Sequence, residues 1–193
     1  MQSNFYAVLG RMKYINRWGL MRNTRNENLS EHCLDVAMIA HALVVIDCRK
    51  FGGNLNPEHA ACLAMYHDAS EIITGDMPTP VKYYNPEIRS AYAAAETAAE
   101  DKLISYLPDY MRGDIAPLIS HDCDEYTVFI KAADKLSALA KCIEELKMGN
   151  REFADAERST RAAVKAMKLP AADEFLDTFM QAYALTLDEQ GKI

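Results

Sequence analysis

Met65-Tyr66-His67-Asp68-Ala69-Ser70-Glu71 is the stretch on which the reading of this chain turns. It lies in a helical pattern. Asn56-Pro57-Glu58 supplies a capping Asn, a proline at the first helical position and an acid in the first turn. The expected helix runs from there through His67 and Asp68 and stops near Thr74-Gly75. Neighbouring side chains on an α-helix are about 100° apart, so by geometry this imidazole and this carboxylate do not face one partner. Alone, the dipeptide reads better as a packed histidine beside an exposed acid. Two distant segments change its weight: Ser30-Glu31-His32 upstream and Lys131-Ala132-Ala133-Asp134-Lys135 downstream. Two imidazoles and two carboxylates form a mixed nitrogen and oxygen set suited to a divalent transition metal. A helical bundle can gather such residues in its interior, although spacing alone does not demand it.

Outward from that stretch the pattern is helical almost throughout. Val/Ile/Thr alternation of strand type is missing, while Ala, Leu, Met, Glu and Lys abound. A first helix is expected over about residues 4–15, followed by a basic loop containing Arg17-Trp18-Gly19. Ser30 is the expected N-cap of a helix reaching about Arg49, and Phe51-Gly52-Gly53 breaks the chain. Asp76-Met77-Pro78-Thr79-Pro80 is an ordered turn, because two prolines bracket Thr79 and fix the backbone. Helices follow over about 87–107 and 124–148, with a shorter piece between Pro108 and Pro117. In the second long helix Val128, Ala132, Leu136, Leu139, Ile143 and Leu146 form the expected core stripe, and Asp134 lies off it. Two amphipathic helices, about 152–167 and 172–187, carry no evident chemistry. No repeat or linker divides residues 1–193, so one domain is expected.

Composition excludes several classes. The longest apolar run, Ala37 to Ile46, is broken by His41 and falls short of a bilayer span of roughly 18 residues. The N-terminus lacks the apolar region of a signal peptide. Five cysteines without CxxC spacing fit reduced thiols, and a cytoplasmic protein that neither enters a membrane nor is exported is expected. The net charge of −7 argues against binding a nucleic acid polymer. Within it, residues 1–27 hold Arg11, Lys13, Arg17, Arg22 and Arg25 against Glu27 alone, a local positive segment able to steer a small anion.

The order His32, His67-Asp68, Asp134 is the signature of the HD phosphohydrolases, and more of the chain agrees with one branch of them. Ile15-Asn16-Arg17-Trp18-Gly19-Leu20-Met21-Arg22-Asn23, Asn28-Leu29-Ser30-Glu31-His32, Met65 to Glu71 and the Asp76–Pro80 turn occur in sequence. Together they closely resemble the bacterial HD-domain 5′-deoxynucleotidases of the YfbR type over about residues 4–150, and only weakly beyond. The resemblance implies an all-α HD-domain bundle with a buried single-metal site. It implies hydrolysis of 2′-deoxyribonucleoside 5′-monophosphates to deoxynucleosides and phosphate, with little base selectivity, by a homodimer. Carried over residue by residue, the metal ligands are His32, His67, Asp68 and Asp134. Cobalt or manganese comes first, and iron, zinc or copper are compatible with the same donors. The catalytic group is Glu71, with Arg17 and Trp18 meeting the phosphate. The substrate-facing set is Arg17, Trp18, His32, Asp68, Asp134 and the turn Asp76, Met77, Pro78 and Thr79. Gly19 departs from the pattern, since family members can carry proline there, and implies a looser loop.

Elementary chemistry adds to this. Two neutral imidazoles, two carboxylates and a divalent ion sum to zero charge, so a phosphate dianion needs a further cation. Arg17 offers it as a planar fork, and Trp18 offers an indole N–H and a rigid wall. An ionised Glu71 would repel the phosphate, so an upward-shifted pKa is expected. Deoxyribose preference requires a surface that penalises the 2′-hydroxyl, for which Met77-Pro78 or Trp18 are candidates. Against these stand an HD phosphohydrolase acting on another nucleotide or phosphate monoester, and a non-catalytic nucleotide sensor. Among the remaining histidines, His121-Asp122 reads as a cap before a long helix, His41 as a core residue and His59 as exposed. Cys33 reads as a small buried residue.

Overall fold

The computed structural model describes residues 2–120 and 125–191, and the His121-Asp122 pair lies outside them. Among the described residues the chain is all helix and loop, with an isolated antiparallel bridge, Asn16 to Asn28. The order is α1 (Phe5–Leu9, running into a 3₁₀ turn Gly10–Tyr14), α2 (Leu29–Ile46, prolonged by a π turn Asp47–Phe51), α3 (Pro57–Tyr66), α4 (Glu71–Thr74), α5 (Thr79–Lys82) and α6 (Pro86–Ser105). Then come α7 (Asp109–Ile119), α8 (Thr127–Lys147), α9 (Ala154–Ala166), α10 (Pro170–Thr178) and α11 (Leu187–Gln190).

α2 is the spine, packed against α3 on one side and α8 on another, and α8 in turn lies against α9. The main core joins Val36, Ala40 and Leu43 of α2 to Leu63 of α3, Leu136 and Leu139 of α8, and Phe175 of α10. Because α8 is enclosed from two sides, its buried face is wider than one stripe. Ala132, Leu136 and Leu139 are fully buried as expected, but Val128 is 39% exposed, while Phe129, Ile130 and Ala133 are buried instead. The α2 helix, counted through Phe51, has the length and mean hydropathy (1.6) of a membrane span. Half of that apolar window is buried inside the protein, and so is His32, which identifies a core helix.

Several boundaries differ from expectation for local reasons. The cap of α2 is Asn28, not Ser30. The Asn28 side chain accepts the N–H groups of Ser30 (3.0 Å) and Glu31 (3.1 Å), and Glu31 answers to the Asn28 N–H in a capping box. The bridge to Asn16 holds Asn28 extended, which is the conformation a cap needs. The segment 172–187 is not one helix: it breaks after Thr178, and Thr186 with Glu189 caps a new turn, α11. His41 is only half-buried, while His59 is exposed and packs edge-on to Tyr126.

The most consequential difference lies at the quoted stretch. The helix does not run through His67 and Asp68 but stops at Tyr66 and restarts at Glu71. Between them the chain tightens into i→i+3 hydrogen bonds: Ala69 N–H to Tyr66 (2.9 Å), Glu71 to Asp68 (3.0 Å) and Ile73 to Ser70 (3.0 Å). This turn removes the geometric objection to an adjacent His and Asp acting together.

Candidate active site

His32 enters from the first turns of α2, His67 and Asp68 from the tightened turn, and Asp134 from the middle of α8. The structure brings all four to one place. Asp68 Oδ2 lies 3.1 Å from His67 Nε2 and 3.6 Å from His32 Nε2, and Asp134 Oδ1 lies 3.1 Å from His32 Nε2. Donor atoms of His32, His67 and Asp68 fall within 4.8 Å of one another, with Asp134 at the border of the group. Both Nε2 atoms are buried, yet neither makes a hydrogen bond. Two buried ring nitrogens left without hydrogen bonds among carboxylates are what a cation-binding donor set requires. The residues therefore fit a divalent metal. Burial alone would lower the His67 pKa, but the Asp68 carboxylate outweighs it and holds the imidazole well above its ordinary value. Burial would raise Asp68, and His67, His32 and Arg17 together pull it below the carboxylate range.

The second layer is denser than the sequence suggested. His67 Nδ1 is fixed 2.7 Å from the Ala64 carbonyl, and Cys33 Sγ lies 3.7 Å away. His32 Nδ1 faces Ser137 Oγ at 3.2 Å and Glu27 Oε1 at 3.6 Å. A carboxylate or hydroxyl behind the far nitrogen is the usual means of orienting a metal-binding imidazole. Ser137 follows Asp134 by three residues, so the two share a face of α8.

Arg17 and Trp18 reach the site from the basic loop. Arg17 N–H donates to the Glu27 carbonyl (2.9 Å), and Leu29 N–H donates to Ile15 (3.0 Å), which clamps the loop base beside the start of α2. Arg17 Nη1 contacts His32 Nδ1 (2.7 Å) and Glu27 Oε1 (3.4 Å), Nη2 lies 3.7 Å from Asp134, and Nε is buried without a partner. Trp18 takes a left-handed backbone (φ 61°), uncommon for a bulky residue and a frequent mark of a functional position. Its ring packs on Phe153, and its backbone N–H meets Asp76. Contrary to expectation its indole N–H does not face the pocket, because it donates to Glu27 Oε2 at 2.8 Å. Trp18 therefore contributes a wall, not a donor. Gly19 sits in open space, and the loop is closed by Met21 N–H on the Trp18 carbonyl (2.9 Å).

Glu71 opens α4 directly after the tightened turn and is buried, with Oε2 unpartnered. Burial, reinforced by the charges of Asp68 and Asp76, pushes its carboxyl up to about 9, the direction expected from the sequence. The turn Asp76, Met77, Pro78 and Thr79 lies across from Arg17, Trp18 and Asp134 and lines with them a pocket of about 670 Å³. That is an ordinary size for a small-molecule site. Tyr92 Oη donates to the Gly75 carbonyl at 3.0 Å and fixes the start of the turn. The far wall was not foreseen: Ala156, Ser159, Thr160 and Ala163 of α9 complete the pocket, with Leu20, Met21, Lys135 and Ala138. The signal was present as small residues at i, i+3, i+4 and i+7 on one helix face.

Comparison with known proteins extends this picture beyond residue 150. The profile of the 5′-deoxynucleotidase YfbR-like family matches residues 4–183. A 5′-deoxynucleotidase of Vibrio parahaemolyticus is 52% identical over 190 residues, covering 97% of this chain and 98% of its own. The 5′-deoxynucleotidase YfbR of Escherichia coli is 51% identical, with 97% and 96% covered. Among solved structures, an HD-domain phosphohydrolase from Listeria innocua superposes with a TM-score of 0.80 at 22% identity, covering 97% of this chain and 90% of that one. A cyanophage S-2L HD phosphohydrolase, bound to dA and one catalytic Zn²⁺ ion, gives 0.66 at 21% identity, covering 93% and 96%. The fold is thus the HD phosphohydrolase bundle.

Proposed function

The chain belongs to the YfbR-like 5′-deoxynucleotidases, and from that membership we propose that it is a metal-dependent phosphoric monoester hydrolase converting 2′-deoxyribonucleoside 5′-monophosphates to deoxynucleosides and phosphate. The observation that carries the reading is the meeting of His32, His67, Asp68 and Asp134, with both Nε2 atoms left without hydrogen bonds, where Arg17 borders the pocket. These four residues would hold one divalent ion, cobalt or manganese first. When bound, such an ion supplies Lewis acidity, polarising the phosphoryl group and lowering the pKa of water.

The chain's own residues do the rest. Arg17 receives phosphate oxygens and offsets the dianion, which the neutral sum of ion, two imidazoles and two carboxylates does not. With His32 Nε2 among the atoms that would hold the ion, the His32 proton would lie on Nδ1 and donate to Ser137 or Glu27, leaving Arg17 Nη1 for the substrate. Glu71, protonated and uncharged at neutral pH, does not repel the phosphate, and its carboxyl holds a proton for the leaving 5′-oxygen. Trp18, Met77 and Pro78 form an apolar wall on which a 2′-hydroxyl would lose its water without finding a partner. We further propose that residues 1–193 act as one domain, as a homodimer, in the cytoplasm. Light scattering of the purified protein tests the dimer.

The enzymatic test is phosphate release from dAMP, AMP and 3′-dAMP by metal-stripped protein, with Co²⁺ or Mn²⁺ restored and Asp134→Asn as control. Metal-dependent release from dAMP alone supports the whole reading. Release from dAMP and AMP alike removes the sugar preference and keeps the enzyme class. Tight dAMP binding without turnover favours a nucleotide sensor.

A further inference from the structure

Three parts of the site converge on Glu27, a residue outside the ligand set and the phosphate-binding pair. Its Oε2 accepts the Trp18 indole N–H at 2.8 Å, and its Oε1 lies 3.4 Å from Arg17 Nη1 and 3.6 Å from His32 Nδ1. Its backbone carbonyl accepts the Arg17 amide at 2.9 Å, so residues 17 and 27 are joined through main chain and side chain alike. The carboxylate is 12% exposed. An ionised carboxylate that far from water is stable only where donors surround it, and here its neighbours are N–H groups or can become so.

We infer that Glu27 is a positioning residue for the phosphate end of the substrate, holding the Arg17 guanidinium and the Trp18 ring in one register beside His32. It acts through those residues and does not itself face the pocket. The inference rests on the nucleotidase reading above. Without Glu27, the acceptor left within reach of Arg17 in the loaded site is Asp134 Oδ1 at 3.7 Å, since His32 Nδ1 would carry a proton there. Asp134 belongs to the donor set, so the guanidinium would fall onto a metal ligand instead of standing beside it. Trp18 would lose the side-chain bond that helps hold its left-handed backbone. Glutamine in this place keeps the shape but has one acceptor oxygen, and its NH₂ meets a donor whichever way it is turned. At most one of the two partners is then retained. Aspartate keeps both oxygens on a shorter stem.

The test uses Mn²⁺-loaded full-length protein as wild type, Glu27→Gln and Glu27→Asp. Trp18 is the one tryptophan of the chain, so its emission reports on this loop alone. The Gln variant is expected to show red-shifted, more readily quenched emission with an unchanged far-ultraviolet circular dichroism spectrum. Its inhibition constant for inorganic phosphate should rise about tenfold or more, while that for 2′-deoxyadenosine stays within about twofold. Its kcat/KM for dAMP should fall about tenfold or more, with a much smaller further loss in an Arg17→Ala background, where only the hold on Trp18 remains to be removed. The Asp variant should recover part of each change, and it carries the same comparison if the Gln variant does not fold. Unchanged emission and phosphate inhibition would overturn the proposal. So would equal weakening of phosphate and nucleoside, or full additivity with Arg17→Ala. Absence of turnover by the wild type on any 5′-monophosphate would instead overturn the nucleotidase reading, while the emission comparison still decides whether Glu27 holds the loop.

Discussion

Glu71 is a carboxyl group held where its charge is unwelcome. Burial and the charges of Asp68 and Asp76 raise it from 4.5 to about 9. The folded protein therefore binds this proton more tightly than the unfolded chain does. The stability it contributes is full below about 4.5 and is lost as pH rises toward about 9. Glu71→Gln in the metal-free protein should abolish that loss. It should melt with the wild type near pH 4 and be more stable at pH 8, by roughly 1–3 kcal/mol. The same variant should lower kcat at saturating dAMP by about 10²-fold or more. Opposite signs in melting and turnover would separate a chemical role from a packing role, and wild-type turnover would end the proposal for Glu71. His67 makes a second pH prediction. Asp68 keeps the imidazole protonated above its ordinary range, and that proton must leave before Nε2 can serve as a ligand. The apparent Mn²⁺ or Co²⁺ affinity, measured by titration calorimetry, should therefore weaken as pH is lowered from 8 to 6, by at most about tenfold per unit for this one proton. At this scale the sequence is informative where a residue's chemistry is rare and its flanks distinctive, as with His32, His67, Asp68 and Asp134. Glu27 has neither advantage. In the sequence it is a lone acid in a basic segment, and only the bridge between residues 16 and 28 reveals which donors it meets.

Elements were legible as helices but less so at their joints. Residues 67–70 contain no glycine or proline to announce a break, and the tightening there depends on tertiary packing. The basic loop is anchored at its far end by another joint, the corner between α8 and α9. Glu145 of α8 is buried and accepts Thr24 N–H (2.9 Å), Thr24 Oγ1 (2.7 Å) and Asn150 Nδ2 (2.8 Å), and it pairs with Lys141. Lys141 also donates to the Arg25 carbonyl at 2.5 Å. Burial works to raise the Glu145 pKa, but these donors outweigh it and hold the group at about 2. Its stabilising contribution is thus present above about 4.5 and lost as pH falls through about 2. Lys141→Met would leave the carboxylate buried without its cation. It should cost about 3 kcal/mol or more in urea unfolding at pH 7, and adding Glu145→Gln should recover part of that. If the single variant unfolds like wild type, the corner does not anchor the loop.

For the whole molecule, the all-α class followed directly from composition and periodicity, and the bundle agrees. The role of the last third did not, because α9 brings no titratable or ligating group to the pocket, only small side chains. Such residues carry no chemical signal. They matter by the room they leave, and room is a property of assembled helices. The charge balance is also read at this scale. A chain of net charge −7 concentrates basic side chains in its first 27 residues, and Arg17 delivers one of those charges to the pocket wall.

That arrangement divides capacity from reactivity along the chain. Every proposed ligand and proton carrier lies at or before Asp134, whereas α9 supplies one wall of the cavity. Substitutions on α9 are therefore expected to alter the range of bases accepted without disturbing the reaction. Ala163→Phe should lower kcat/KM for dAMP at least about tenfold relative to dTMP, with metal affinity unchanged. Equal losses on both nucleotides would place the base elsewhere.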